Sequence, residues 1–263
     1  MTPVLLIHSS GFTSRQWRRL GEQLAPRHRV IAPDLIGYGA AARWPDREPF
    51  HFRQDVAMLA ELLTEPTHVV GHSYGGLLAL QLALARPELV RRIAVYEPVT
   101  FGLLDEPEDT AVRETIARLG EYRPDAGAVD EVWLDRFVDW WQGPGAWRAL
   151  AEETRRAFRD VAWKMSQEVA TLSADGTSRA GYAAIASPTL ILAGERTQPA
   201  ELHVVQKLAR TLSRATLQLL PGMGHMGPIT NAAAVNAAIA AFLEAPEAPE
   251  APDAPEAPDA SRR

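Results

Sequence analysis

The segment that most constrains this chain is Thr67–Leu84, in which a strand pattern breaks at a glycine-flanked turn and becomes a helix pattern. The run from Thr67 to Val70 predicts a buried strand, and the leucine- and alanine-rich run that begins at Leu77 predicts an apolar helix. The turn between them reads Gly-His-Ser-Tyr-Gly at positions 71–75. Only small flanking residues let a strand and a helix come this close together. The sequence therefore predicts a sharp strand-to-helix turn with Ser73 at its centre.

Ser73 is the first candidate for a chemical role. A strained turn at the start of a helix raises the hydroxyl above the sheet, where backbone N–H groups and the helix dipole favour developing negative charge. Gly-x-Ser-x-Gly also occurs by chance in glycine-containing turns. The strand before the motif and the helix after it favour a nucleophile.

Strand patterns alternate with helix patterns over most of the chain, which predicts an α/β fold with a mostly parallel, doubly wound sheet. The other predicted strands are Val4–His8, Arg29–Pro33, Arg91–Tyr96, Pro188–Ala193 and Thr216–Leu220. The other predicted helices are Arg15–Leu24, Phe52–Leu63 and Ala232–Leu243.

The strand rhythm stops between two of these strands, and residues 98–186 are called the helical insertion below. We predict a core of residues 1–97 and 187–244, a helical cap of residues 98–186 and a disordered Ala/Pro/acidic tail of residues 245–263. The insertion is rich in tryptophan. Its rings could form the core of the insertion itself, but a small helical unit cannot bury all of them. We therefore predict that the following residues face the substrate: Trp133, Trp140, Trp141 and Trp163.

Composition excludes several classes of function. With 263 residues and a net charge of −6, the chain has the size of one large domain and no basic surface for nucleic acid. There is no cysteine, and no spaced cluster of metal ligands occurs. The sequence shows neither a signal-peptide pattern nor an apolar stretch long enough to cross a membrane. We expect a cytoplasmic protein that acts on a small molecule without a metal or cofactor.

Several separate motifs resemble the α/β-hydrolase superfamily, over residues 3 to about 243. They are the turn at Ser73, the loop His8-Ser9-Ser10-Gly11, the loop Asp34-Leu35-Ile36-Gly37-Tyr38-Gly39 and the glycine-flanked histidine in Gly222-Met223-Gly224-His225. The resemblance implies a serine esterase or thioesterase with a helical cap. It also implies that the backbone N–H groups of Ser10 and Tyr74 form the oxyanion hole. Ser9 and Met226, beside these motifs, are predicted to contact substrate.

A serine hydroxyl needs a base within hydrogen-bond reach, and seven histidines compete for that role. His225 is the one in a glycine-flanked loop directly after a late strand. The resemblance assigns structural roles to His8 and His72, which lie in the oxyanion loop and in the turn. We therefore predict His225 as the catalytic base.

The acid that would orient His225 is the point where the sequence departs from the family. Most members carry Asp after the strand that matches Thr189–Ala193, but this chain has Thr197 there. Some relatives place the acid after the preceding strand, which corresponds to Glu97. We predict Glu97 as the acid, with Glu195 and then Asp34 as alternatives.

The resemblance implies two further expectations. The family usually has a strand pair before the strand that begins at Val4, and this sequence has no residues for it, so the next strand should lie at an exposed edge that favours a homodimer. The predicted activity is cleavage of a carboxylic ester or thioester through an acyl group on Ser73. The alternatives are a lyase or cofactor-free oxygenase of the same fold, or an inactive member that binds an apolar ligand.

Overall fold

A computed structural model describes residues 1–119 and 131–246. In this part of the chain, six strands form one sheet in the order β2-β1-β3-β4-β5-β6, and every neighbouring pair is parallel. The strands are β1 (Pro3–Ile7), β2 (Arg29–Ile31), β3 (Thr67–His72), β4 (Val90–Tyr96), β5 (Thr189–Gly194) and β6 (Ala215–Leu220). The prediction of a parallel, doubly wound α/β sheet is confirmed.

Helices follow the strands and fill the insertion. They are α1 (Arg18–Leu24), α2 (Phe52–Glu61), α3 (Tyr74–Ala85), α4 (Thr110–Ala117), α5 (Glu131–Gln142), α6 (Ala146–Ala149), α7 (Glu152–Ser173), α8 (Arg179–Ala183), α9 (Pro199–Thr211), α10 (Gly227–Thr230) and α11 (Ala232–Glu244).

The strand β1 shows how the sheet is covered on both faces. Its residues Val4 and Leu6 pack on one side with α1 and α11, whereas Leu5 and Ile7 pack on the other side with α2, α3 and α9. All four side chains are fully buried. This continuous apolar pattern is typical of a parallel strand between two helical layers. Each such side chain contributes about 1.5–3 kcal/mol of burial free energy.

The helix α3 starts at the predicted turn and lies in the centre of the molecule. It is apolar on every side, and most of its residues are buried. A helix of this kind is stable only when it is surrounded by protein. The first turn of α3 is therefore fixed against the carboxyl end of the sheet, where Ser73 lies.

The insertion between β4 and β5 supplies helices α4 to α8. Its longest helix, α7, packs against α2 of the core, and its helix α5 packs on α7. The predicted tail of residues 245–263 falls almost entirely outside the described residues. The domain boundaries remain predictions.

Candidate active site

Ser73 occupies a strained backbone position between β3 and α3. Its φ is 54° and its ψ is −115°, a conformation that a residue with a side chain rarely adopts. The two glycines of the motif allow this turn because a Cβ at Gly71 would overlap the carbonyl of Gly75, and one at Gly75 would overlap the carbonyl of Ile7. The close approach expected from the sequence is present, and it directs the Ser73 hydroxyl away from the sheet.

Ser73, His225 and Glu97 form one continuous line of hydrogen bonds. The Ser73 hydroxyl lies 3.0 Å from His225 Nε2, and His225 Nδ1–H donates to Glu97 Oε2 at 2.7 Å. The exposed fractions of these residues are 8%, 4% and 0%. Because the carboxylate accepts the hydrogen bond of Nδ1–H, Nε2 is left as the acceptor that faces the hydroxyl. The arrangement can therefore remove a proton from Ser73.

Glu97 follows the end of β4 and also has a positive φ, of 42°. Its Oε1 accepts the backbone N–H of Gly194 at 2.8 Å, and its Oε2 accepts the hydroxyl of Thr197 at 2.6 Å. Thr197, which stands where most of the family has an acid, thus donates a hydrogen bond to an acid from the neighbouring strand. The carboxylate of Glu97 is held from both sides.

The two alternative acids lie elsewhere. Glu195 accepts the backbone N–H of Gly222 at 3.2 Å on the surface. Asp34 accepts the N–H groups of Ser14 and Ala40 at 2.7 and 2.8 Å, and these bonds lower the pKa of its carboxyl. Asp34 therefore stabilises its own loop.

A second set of hydrogen bonds positions the loop that carries His225. His72 Nε2–H donates to the carbonyl of His225 at 2.9 Å, and the Tyr96 hydroxyl donates to the carbonyl of Gly224 at 2.7 Å. His72 Nδ1 in turn accepts from the side chain of Gln16 at 3.2 Å, whose oxygen accepts the N–H of Ser9 at 3.0 Å. These bonds tie the loop after β1 to the loop after β6, a link that sequence patterns do not reveal because its members lie far apart in the chain.

Burial keeps two histidines of this region neutral. It lowers the pKa of His72 well below its usual range, and it lowers the pKa of His8 to about 4. His8 uses both ring nitrogens in the neutral form, since Nδ1–H donates to the carbonyl of Ser9 and Nε2 accepts the N–H of Leu35. The structural roles expected for these two side chains agree with their contacts.

Ser10 and Tyr74 are the two residues predicted to form the oxyanion hole. Ser10 belongs to the loop after β1, and Tyr74 is the first residue of α3, so its N–H has no carbonyl partner within the helix. Both residues line the cavity at Ser73. Their N–H groups are suited to receive negative charge that develops beside the Ser73 hydroxyl.

The cavity above Ser73 consists of two adjoining pockets. The outer pocket reaches His225, Ser9 and Met226, and the inner pocket reaches Glu168 of α7. Trp141 of α5 lines both pockets, and its ring stacks on that of His225 with centroids 4.0 Å apart. Ser9, Met226 and Trp141 thus border the space in which a substrate would lie.

The other three predicted tryptophans are away from this cavity, so the expectation that they face the substrate does not fit the described residues. Trp133 is buried inside the insertion, where its ring stacks on Phe137. Trp140 borders a separate surface groove, and the indole N–H of Trp163 donates to the carbonyl of Glu48 at 2.8 Å. The helical period explains the outcome, because neighbours such as positions 140 and 141 point about 100° apart.

Within the described residues, no group of three His, Asp or Glu side chains could hold a metal ion. No described helix combines the length and the apolar character needed to cross a membrane.

The fold and the site together define a class of protein: a parallel α/β sheet with a serine at a strained strand-to-helix turn and a histidine–carboxylate pair at the same sheet edge. The sequence model of the alpha/beta hydrolase family matches residues 4–238. The chain belongs to the alpha/beta hydrolase family and is a hydrolase of that family, as the resemblance implied.

Several known proteins related to the chain carry hydrolase names. It is 28% identical to 2-hydroxymuconate semialdehyde hydrolase of Pseudomonas sp. (strain CF600), over 92% of this chain and 86% of that protein. A thermophilic esterase from Thermogutta terrifontis superposes with a TM-score of 0.72 at 21% identity and covers 92% of this chain and 89% of its own. The 2-hydroxy-6-oxo-6-phenylhexa-2,4-dienoate hydrolase of Rhodococcus sp. strain RHA1 superposes with a TM-score of 0.67 at 24% identity. It covers 93% of this chain and 91% of its own. At these identities, the two structures support the fold alone.

Proposed function

We propose that this protein is a serine hydrolase that cleaves a carboxylic ester or thioester through an acyl group on Ser73. The observation that carries the proposal is the line of hydrogen bonds from Ser73 through His225 to Glu97. Each group has the neighbour that its role requires: the nucleophile faces a base, and the base faces a carboxylate.

In the acylation step, His225 Nε2 takes the hydroxyl proton while Ser73 Oγ attacks the carbonyl carbon. The carbonyl oxygen becomes an oxyanion that accepts the N–H groups of Ser10 and Tyr74. The imidazolium of His225 is stabilised by Glu97 and gives its proton to the leaving alcohol or thiol. Water then attacks the acyl group with His225 again as base, which releases the acid and restores Ser73. This chemistry requires no cofactor.

The lining of the two pockets favours an apolar substrate. The outer pocket contains Phe12 and Phe158, and the inner pocket contains Val99, Phe101 and Leu172. The helical insertion supplies several of these side chains and serves as the cap that keeps bulk water away from the oxyanion.

Carbon–carbon bond hydrolysis is a second candidate, and the observation in its favour is the similarity to the hydroxymuconate semialdehyde hydrolase along most of the chain. It uses the same serine, base and oxyanion groups. Loss of the absorbance of 2-hydroxymuconate semialdehyde in the presence of the protein distinguishes it from ester cleavage, which is followed with 4-nitrophenyl esters.

The test of the proposal is labelling with a fluorophosphonate, followed by mass mapping of the modified peptide. We expect one adduct per chain, on Ser73, and no adduct in the Ser73→Ala variant. Ser9→Ala is the matched control, because Ser9 is also a buried serine in the cavity wall, and it should label like the wild type. Folded protein that fails to label would overturn the proposal and favour a lyase or a ligand-binding member.

A further inference from the structure

A buried cluster of charged groups joins the insertion to the core beside the active site. Lys164 of α7 donates from Nζ to Asp55 Oδ2 of α2 at 2.9 Å and also to Glu168 Oε1, one turn further along α7. The exposed fractions of these three side chains are 2%, 0% and 1%. Buried charges of this kind persist only when each one is paired.

Every oxygen of the two carboxylates in the cluster has a donor. Asp55 accepts the Tyr74 hydroxyl at 2.7 Å and the N–H of Ile36 at 3.0 Å. Glu168 Oε2 accepts the Tyr38 hydroxyl at 2.9 Å and also the hydroxyl of Ser10. These four donors, together with Lys164 Nζ, are the kind of partner that a carboxylate prefers. One lysine lies between the two carboxyl groups, and burial raises the pKa of the Glu168 carboxyl while the Lys164 ammonium opposes that rise.

Glu168 is the member of the cluster that reaches the cavity. It lines the inner pocket together with Ser73 and Tyr74. Lys164 does not border either pocket, because its Nζ is held between the two carboxylates and lies 4.4 and 4.3 Å from the ring centroids of Tyr38 and Phe50. The lysine is therefore not free to meet a substrate anion.

The two pockets are suited to different parts of an ester. His225 must deliver a proton to the leaving group, and it lines the outer pocket but not the inner one. The leaving group thus belongs in the outer pocket. The inner pocket, next to Ser73 and Tyr74, is left for the acyl chain.

We propose that the inner pocket accepts uncharged acyl chains and rejects acyl chains that end in a carboxylate, and that Glu168 sets this preference. The inference rests on the proposed function. Among the described residues that line the two pockets there is no lysine or arginine, so an acyl carboxylate would lose its water without gaining a cation. It would also lie beside the carboxylate of Glu168, which repels it.

Two esters with the same leaving group and nearly the same shape test the proposal. They are the 4-nitrophenyl monoester of adipic acid, whose acyl chain ends in a carboxylate, and the 4-nitrophenyl ester of adipamic acid, which ends in a neutral amide. We expect wild-type kcat/KM to be about 100-fold higher for the amide. For an ester that turns over too slowly, the inhibition constant against 4-nitrophenyl butyrate compares the binding of the two esters instead.

Three variants assign the preference to the charge of Glu168. Glu168→Gln removes the charge and should reduce the ratio about tenfold or more, whereas Glu168→Asp keeps the charge and should retain most of the ratio. Glu153→Gln is the matched control, since it removes an exposed carboxylate from the same helix and should leave the ratio unchanged. The Glu168 variants also alter the contact with Ser10. If this slows the turnover of both esters equally, the effect cancels in the ratio.

The outcomes separate this inference from the proposed function. Ser73-dependent turnover of 4-nitrophenyl butyrate with a wild-type ratio near one would overturn the inference and leave the function intact. An unchanged ratio in folded Glu168→Gln would overturn the role of Glu168. Absence of any Ser73-dependent ester turnover would overturn the proposed function itself. If Glu168→Gln does not fold, the wild-type ratio still decides whether the pocket rejects acyl carboxylates, and a Glu168→Asp ratio near one would contradict the role of the Glu168 charge.

Discussion

Two regions of this molecule enclose the same cavity and are built in different ways. The floor is the carboxyl edge of the sheet with Ser73, Glu97 and His225, and the roof is formed by helices α5 and α7 of the insertion. In the floor, each reactive side chain follows a strand end, and a backbone N–H and a neighbouring hydroxyl hold the carboxylate of Glu97. In the roof, the packing of helices places Trp141 and Glu168, and hydrogen bonds from the core residues Ser10 and Tyr38 also hold Glu168.

The difference suggests a division of roles. Strand ends repeat every 4.7–4.9 Å across a sheet, so they present groups from distant parts of the chain at hydrogen-bond distance. A helix presents a side chain wherever its axis and rotation place it. We expect the floor to carry the reaction and the roof to decide which substrate reaches it.

The largest effects should come from the floor. Ser73→Ala and His225→Ala should each lower kcat for a 4-nitrophenyl ester by at least about 10⁴-fold, because nucleophile and base act as a unit. For the same reason, the double variant should lose little more than either single one. Steady-state kinetics of the three variants provides the measurement. Additive losses would contradict a shared role.

Glu97→Gln should preserve the fold and lower kcat by about 10³-fold, because the amide keeps the shape but not the charge that stabilises imidazolium. Glu195→Gln and Asp34→Asn are the matched controls and should stay near wild type. Thr197→Asp in the Glu97→Gln background should recover part of the activity, since Thr197 already contacts the same position. A severe loss in Glu195→Gln with a mild one in Glu97→Gln would assign the acid to the later strand.

The floor should also determine how stability responds to acid. The pKa of His8 is about 4 in the folded protein and about 6.5 when unfolded, so the unfolded state binds more protons in that interval and stability falls as pH decreases through it. Between pH 7.5 and 5, His8 should lower the free energy of unfolding by about 2 kcal/mol, which is roughly a 30-fold change in the unfolding constant. Urea unfolding of wild type and His8→Gln at both pH values measures this share. Equal losses in the two proteins would show that His8 does not contribute.

The smallest effect should come from the roof. Trp141→Leu should lower kcat/KM about tenfold, because it removes the ring that stacks on His225 and lines both pockets. Trp163→Leu is the matched control, and its kcat/KM should stay within about twofold of wild type because its ring lies by Glu48. Steady-state kinetics of both variants with the same ester gives the two kcat/KM values to compare. Equal losses would mean that the roof acts through its general packing.

The sequence predicted the floor closely and the roof poorly. The strand prediction Val4–His8 differs from β1 by one residue at each end, and Arg91–Tyr96 differs from β4 by one residue at its start. The agreement is close because an apolar run between turn residues is a local signal. Ser73 and His225 were singled out from short motifs in the same way. The helix α9 was not among the predicted helices.

Three features of the site were missed for one physical reason. The hydrogen bond from Thr197 to Glu97, the chain of bonds through His72 and Gln16 and the cluster around Glu168 all join residues that are distant in sequence. Composition predicts that some aromatic rings and charged groups will be buried. It does not predict which residues they will contact.

The sequence by itself determined the parallel α/β sheet, the turn at Ser73 and the family to which the chain belongs, because strand periodicity and glycine-flanked turns are local properties of the chain. Only the tertiary structure decided that Glu97 rather than Glu195 or Asp34 contacts His225, that Trp141 alone of the four predicted tryptophans covers it, and that Glu168 lines the inner pocket. These outcomes depend on the register of strands and the rotation of packed helices, which long-range packing fixes.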